Sequence, residues 1–288
     1  MTTTAPPAPR RAAPVAPARS TPSVPVASPL GRVAFGKVTP RVCRRIGIYG
    51  PGGIGKTTLA ATAPGPVAFI DLDESLSVLE DLHELDLRPV EASDWKGLRT
   101  KLTAPGWDDI KTIVIDPVSK AEEFCVAEVL ATVPHEKGHK VTRLEDYGYG
   151  KGYQYVYDMF LPLLGDLDAH IRAGRTVVLV MHDCTANVPN PAGDDWIRYE
   201  PRLQSPASGK ASVRLRVKEW LDDLLFLGYD VAVDKEGKGQ GSGTRTVWPI
   251  ELPHCMAKSR KLTDPLTLDK FSPVLWQALG LVPTGKGA

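Results

Sequence analysis

Gly50-Pro51-Gly52-Gly53-Ile54-Gly55-Lys56-Thr57, followed by Thr58, decides how this chain reads. The stretch fits G-x-x-x-x-G-K-[ST] at every fixed position. Glycines lack a Cβ, so the backbone can take unusual dihedrals and bring N–H groups close around phosphate oxygens. A helix starting near Lys56 would direct its N-terminal partial positive charge at the same anion. Lys56 is placed to reach β- and γ-phosphates, and the Thr57 hydroxyl to ligate Mg²⁺, so the expected ligand is magnesium-ATP. The context agrees, since Ile46-Gly47-Ile48-Tyr49 reads as a strand and Lys56 to Ala63 as a helix stopped by Pro64.

Such a loop needs a carboxylate to hold the hydrated metal, expected from a neighbouring strand. The run from Ile110 through Thr112-Ile113-Val114-Ile115 to Asp116 supplies one: an apolar strand ending in acid, which puts Asp116 at the carboxyl edge where ligands sit. A second strand, Val67 to Leu72, also ends in acids, Asp71, Asp73 and Glu74. Either one of them orients or deprotonates an attacking water, or they cap a helix and solvate a strand end.

Outward from the loop, short apolar runs alternate with helical segments, the rhythm of a parallel sheet covered by helices. A helix follows Asp116 through about Ala131, and Val156, Phe160, Leu163, Leu167 and Ile171 recur at helical spacing around Pro162. Thr176 to Met181 and Leu224 to Leu227 read as strands. Tyr229 to Val233 and Thr244 to Trp248 read as a hairpin, and Phe271 to Leu279 as a closing helix. Trp95, Trp107 and Trp276 are expected in the core or at an interface.

Composition sets the outer limits. Residues 1–40 are mostly Ala, Pro, Thr, Ser, Val and Arg, too poor in apolar area to offset ordering entropy, and are predicted to be a disordered tail before a single domain over 41–288. Lys+Arg 35 against Asp+Glu 34 is near neutral, yet no acid precedes Asp71 while Arg10, Arg11, Arg19, Arg32, Lys37, Arg41, Arg44 and Arg45 do, a basic arm on a near-neutral body. Four scattered cysteines without a C-x-x-C pair read as reduced thiols, and a cytoplasmic setting is the default. No stretch approaches the ~18 apolar residues of a membrane span, and no leader-like segment is evident. His182, Cys184, His254 and Cys255 do not match the spacing of common zinc sites.

Together these segments resemble the RecA-like core, and more narrowly the short phage RecA-like ATPases (AAA/RecA type) that include single-strand annealing proteins. The resemblance covers roughly Arg45 to Leu262 and implies an α/β fold. The fold so implied is a P-loop NTPase core with a mostly parallel sheet flanked by helices and a C-terminal β-hairpin. By that likeness Asp73 takes the place of the catalytic glutamate of RecA, with Glu74 one residue beyond, a departure that leaves the base open between them. Val114-Ile115-Asp116-Pro117-Val118-Ser119 is similar to the second metal motif, and Tyr147-Gly148-Tyr149-Gly150-Lys151-Gly152-Tyr153 to a glycine-aromatic segment of the phage proteins. His182, ending Val177-Val178-Leu179-Val180-Met181, stands where the γ-phosphate sensor lies. Arg198-Tyr199-Glu200-Pro201-Arg202-Leu203 and Trp220-Leu221-Asp222-Asp223 resemble further landmarks. Ala257-Lys258-Ser259-Arg260 resembles a late basic motif whose Arg260 can reach nucleotide across a subunit interface.

The resemblance implies slow, DNA-stimulated ATP hydrolysis by a homo-oligomer in the host cytoplasm, working on single-stranded DNA with a single-strand binding protein as possible partner. Residues 183–219 read as one long polar connection carrying Trp196, Arg198, Tyr199, Arg202, Lys210 and Arg214. Cations there would neutralise phosphates and aromatics would stack on unpaired bases, although Asp183, Asp194, Asp195, Glu200 and Glu219 dilute the patch. A mobile lid or protomer contact is the competing reading. Three other functions fit the loop. A partition-type ATPase needs a lysine where Pro51 stands, a small-molecule kinase needs an acceptor pocket and an arginine-rich lid, and a nucleotide-gated scaffold needs no turnover.

Overall fold

The computed structural model describes residues 35–283 apart from 83, 208, 209, 234–238, 270 and 272. The tail expected over 1–40 thus lies almost entirely outside the described residues, and 35–40 carry no helix or strand.

In chain order the elements are β1 (Arg45–Gly50), α1 (Lys56–Ala61), β2 (Val67–Asp71), β3 (Leu87–Pro89), α2 (Trp95–Thr103), β4 (Thr112–Asp116) and α3 (Val118–Thr132). There follow α4 (Lys151–Arg172), β5 (Thr176–Val188), β6 (Trp196–Pro201), α5 (Val213–Trp220), β7 (Asp223–Val233), β8 (Gly239–Trp248), β9 (Leu266–Leu268) and α6 (Val274–Ala278). Among the described residues they build one sheet in the order β3-β2-β4-β5-β1-β7-β8-β9, with β6 paired to β5. The six strands from β3 to β7 are mutually parallel, and β8 and β9 continue antiparallel. This is an α/β, mostly parallel sheet of the P-loop NTPase kind.

Central strands covered on both faces should be apolar throughout, and β4 is buried at all five positions. Alternate residues face two cores. Ile113 and Ile115 pack with α2, α3, α4 and α5, among them Leu98, Cys125, Phe160 and Val217. Val114 packs on the other face with Leu59 of α1 and Trp276 of α6. Trp95 stacks on Phe160 with centroids 5.8 Å apart, and Trp276 is fully buried with its indole N–H donating to Thr62 Oγ1 at 2.9 Å. The core reading of both tryptophans holds.

Several expectations need correction. The acid-bearing strand β4 is not the neighbour of β1, because β5 lies between them. Helix α1 stops at Ala61, a six-residue element, so its dipole is small and the loop's own amides carry more of any anion binding. The strand at 224–227 and the first hairpin strand are one element, β7, with a register shift between Tyr229 and Val231. The supposed long connection at 183–219 holds the second half of β5, all of β6 and all but the last residue of α5. Alternating exposed residues in the β5–β6 ribbon gave no apolar run to signal it.

Among the described residues, the arginines that lead into β1 are paired. Arg41 pairs with Asp222, Arg44 with Asp223 at 2.6 Å, and Arg45 with Asp168 at 2.7 Å. Asp223 is fully buried and also accepts from Ser259 Oγ at 2.6 Å and the Arg260 N–H at 3.2 Å. One carboxylate therefore ties the arm, β7 and the segment after β8 together.

Gly50 closes β1 where the chain must pass beside β7. A Cβ there would overlap the carbonyl oxygen of Leu227, which is backbone and cannot swing aside. Gly50→Ala should lower unfolding stability by at least ~1–3 kcal/mol, the usual cost of overpacking. Urea melts against Gly52→Ala, whose Cβ would meet nothing within 4 Å, check this; equal stability of the two variants would contradict it.

Candidate nucleotide site

Register brings the strand ends into one row. Gly50 pairs with His182 across β1 and β5, and Asp71 with Asp116 across β2 and β4. The glycine-rich loop rises from this edge, with Gly53 at φ 74° and Gly55 at φ 97°, left-handed values that glycine takes without Cβ strain. Ile54 points the other way, buried in the α1 face, and pins the loop to the body.

A cleft of about 310 Å³ opens over the loop. It is lined by Gly52, Gly53, Gly55, Lys56, Thr57, Thr58, Asp73, Ser75, Leu79, Asp116 and His182. Gly50 and Pro51 form the loop's base, and Pro51 lines a separate cavity beside Tyr199, Phe226 and Trp248.

The Lys56 ammonium folds back over the loop and donates to the carbonyls of Gly50 and Pro51, both at 2.8 Å. Burial pushes its pKa down, and the nearby Asp116 and Asp183 push it up. Asp116 is buried, and that burial raises its pKa to about 6 despite a hydrogen bond from Thr57 and the charge of Lys56. Its Oδ2 is buried with no hydrogen-bond partner among the described residues. An unpartnered buried carboxylate oxygen is costly. Beside a hydroxyl and a lysine it has the chemistry of a hard-cation ligand. The donor set fits magnesium.

The acids after β2 separate. Asp71 accepts from the Ser75 N–H at 3.0 Å, Ser75 Oγ at 3.1 Å and the Leu76 N–H at 2.7 Å, so it caps the following turn. Asp73 faces the cleft and its charge is felt by Asp116 and His182. Glu74, at φ 56°, turns into a different cavity with Phe69 and Pro89. Asp183, next to His182, is close enough to influence Lys56, whereas the sequence reading placed it only among the acids that dilute the basic patch.

The residues considered for nucleic acid do not form one free basic surface. Arg198 bonds Glu200 at 2.8 Å and Glu251 at 2.6 Å, and Arg214 bonds the other oxygen of Glu200. Side-chain exposures of 11%, 13% and 9% for Arg198, Arg214 and Glu200 make this a buried cluster. Tyr199 stacks on Phe226 at 5.2 Å, Trp196 is half-buried, and Lys210 is exposed. Arg202 lies apart from them: its Nη2 donates to His182 Nδ1 at 3.1 Å, at the margin of the nucleotide cleft. Arg260 sits beside Asp222 and Asp223, and Asp223 pairs with Ile46 near the start of β1. It is roughly 15 Å along the strand from the chain's own loop.

A family model described as an AAA domain matches residues 43–261, well over half of the chain. The chain belongs to that family, a P-loop ATPase type of domain. No curated protein matches the sequence.

The Glu200 cluster has a measurable consequence. Glu200→Ala leaves two buried guanidinium groups without their shared carboxylate and should cost ~3–5 kcal/mol of stability. Chemical denaturation reads this directly; an unchanged midpoint would show that Arg198 and Arg214 do not depend on Glu200.

Proposed function

We propose that the chain binds magnesium-ATP in this cleft and hydrolyses it. The observation that carries the reading is the pairing of Lys56, folded over the loop carbonyls, with Asp116, whose buried oxygen lacks a partner. Lys56 leaves those carbonyls for the β- and γ-phosphate oxygens, while Gly53, Gly55 and neighbouring amides surround the chain of phosphates. Thr57 and Asp116 would hold Mg²⁺, which when bound would offset phosphate charge. Asp73, rather than Glu74, stands in the cleft to accept the proton of the attacking water. The water oxygen bonds to the γ-phosphorus as the bridging bond breaks, giving ADP and inorganic phosphate. His182 contacts the terminal phosphate. Arg260, exposed and remote from its own loop, serves a neighbouring subunit of a homo-oligomer.

The substrate of the ATP-driven work is, in this reading, single-stranded DNA in recombination or annealing, within a cytoplasm. Support comes from the resemblance to phage RecA-like proteins and from the β5–β6 ribbon. That ribbon starts at the cleft and carries exposed Ile197 and half-buried Trp196 near its tip. Base stacking on such side chains is tolerant of sequence. A second reading, a nucleotide-gated scaffold, is favoured by the neutralisation of Arg198 and Arg214, which removes two of the cations expected to meet phosphate. No described helix is long and apolar enough to cross a membrane.

Magnesium-ATP at about 100 times its Kd should stabilise the wild type by ~2.7 kcal/mol and leave Lys56→Ala unmoved, read as thermal shift. Phosphate release measured with and without single-stranded DNA separates the two readings. Stimulation in the wild type selects the DNA-linked ATPase, turnover without stimulation removes the DNA role, and binding without turnover selects the scaffold.

A further inference from the structure

Arg202 differs from its neighbours in having no carboxylate. Arg198 and Arg214 share Glu200, whereas no ion pair of Arg202 is found among the described residues although its residue is exposed. Its guanidinium instead donates to a neutral acceptor, His182 Nδ1, at 3.1 Å. The backbone repeats the link, since the Arg202 N–H donates to the His182 carbonyl at 2.8 Å. On the other side the His182 N–H donates to Ser119 Oγ at 3.2 Å, fixing the strand end against α3.

The direction of the first bond settles a proton. Arginine has only donors, so Nδ1 must be the bare acceptor nitrogen and the proton of the neutral ring sits on Nε2. Burial, then the charges of Arg202 and Lys56, hold His182 below its ordinary pKa, which keeps the ring neutral near pH 7. Two like charges, Lys56 and Arg202, thus flank a neutral ring that lines the phosphate cleft. Asp73 and Asp183 oppose those two charges at the ring, yet Arg202 itself forms no ion pair among the described residues, so the donors of Lys56, His182 and Arg202 together suit an anion.

The geometry points to Arg202 as an in-chain positioning residue for the terminal phosphate, which it serves by locking His182 as an Nε2–H donor and by joining that donor to the β5–β6 ribbon. This rests on the reading of the cleft as an ATP site and deepens it. The γ-phosphate accepts from Nε2–H, and its negative charge offsets Arg202 and Lys56 together. Loss of that phosphate on hydrolysis leaves the Arg202 charge uncompensated at the root of β6, so the ribbon registers whether ATP or ADP is bound. The arginine works within its own subunit, unlike Arg260.

Single-turnover and steady-state kinetics on full-length Arg202→Gln and Arg202→Lys test it. Arg202→Gln should lower kcat roughly 10- to 100-fold, by analogy with the loss seen when the partner that orients a metal-bound histidine is removed. ADP affinity should stay about the same, since ADP lacks the phosphate concerned, and Arg202→Lys should recover part of the rate because lysine keeps the positive charge that the neutral glutamine amide lacks. Nitrogen-15 NMR of the histidines should show His182 as the Nε2–H tautomer in the wild type, a readout independent of any variant's folding. Co-expression of Arg202→Gln with Lys56→Ala should restore nothing, as each chain lacks a group its own site needs. Unchanged kcat in Arg202→Gln with normal wild-type turnover, an Nδ1–H tautomer, or restored activity in the mixed oligomer would each overturn the role of Arg202 while leaving the ATPase standing. A wild type that binds no ATP would remove the ATPase reading itself.

Discussion

Lys56 bonded to the carbonyls of Gly50 and Pro51, with Asp116 buried close by, is the interaction on which the site depends. Both groups pay a desolvation penalty, seen as a lowered lysine and a raised aspartate pKa, and each partly relieves the other. A buried cation and a buried anion held near one another without a full complement of bonds make a site that favours a ligand carrying both signs. A metal-bound triphosphate is such a ligand. The rest of the chain serves to bring that pair together across an intervening strand.

The frame does this with buried polar ties at the opposite edge of the sheet. Asp223 receives Arg44, Ser259 and the Arg260 amide, and Asp222 receives Arg41 and the Arg45 N–H. These carboxylates fix the register of β1 against β7, which in turn sets where Gly50 ends and the loop begins. At the carboxyl edge the Tyr49 hydroxyl, donor to the carbonyls of Tyr199 and Met256, links the loop strand to β6 and the segment after β8. The ribbon and the phosphate loop are thus joined by the Tyr49 side chain as well as through His182 and Arg202. A change at the cleft has a short, packed route to the ribbon, although a shared network is only a means of coupling and not proof of it.

Much of this could be read from residues, and the failures have physical causes. The loop, β2, β4 and the first half of β5 were legible because strands buried on both faces are runs of Val, Ile and Leu, and because glycine, lysine and threonine at fixed spacing have few other uses. Strand β3, three residues long and largely exposed, carries no such run. Helix α2, whose Asp94 cap accepts the Gly97 N–H at 2.7 Å, has lysines and threonines diluting its buried Trp95, Leu98 and Leu102. The charges of β6 and α5 looked like a solvent-facing basic patch, yet Glu200 and Glu251 neutralise much of it. Pairing of charges across 14 to 53 positions is a tertiary fact with no local signal. The same limit applied to the acids after β2, where only the turn capped by Asp71 separates Asp73 from Glu74.

Electron paramagnetic resonance of Mn²⁺, titrated into the protein with a non-hydrolysable ATP analogue, addresses the metal–carboxylate grip most directly. Wild-type chain should hold manganese only with the nucleotide present, and Asp116→Ala should lose the metal signal while retaining weakened nucleotide binding. Manganese bound equally well by Asp116→Ala, or by neither protein, would contradict the assignment of that carboxylate and with it the site.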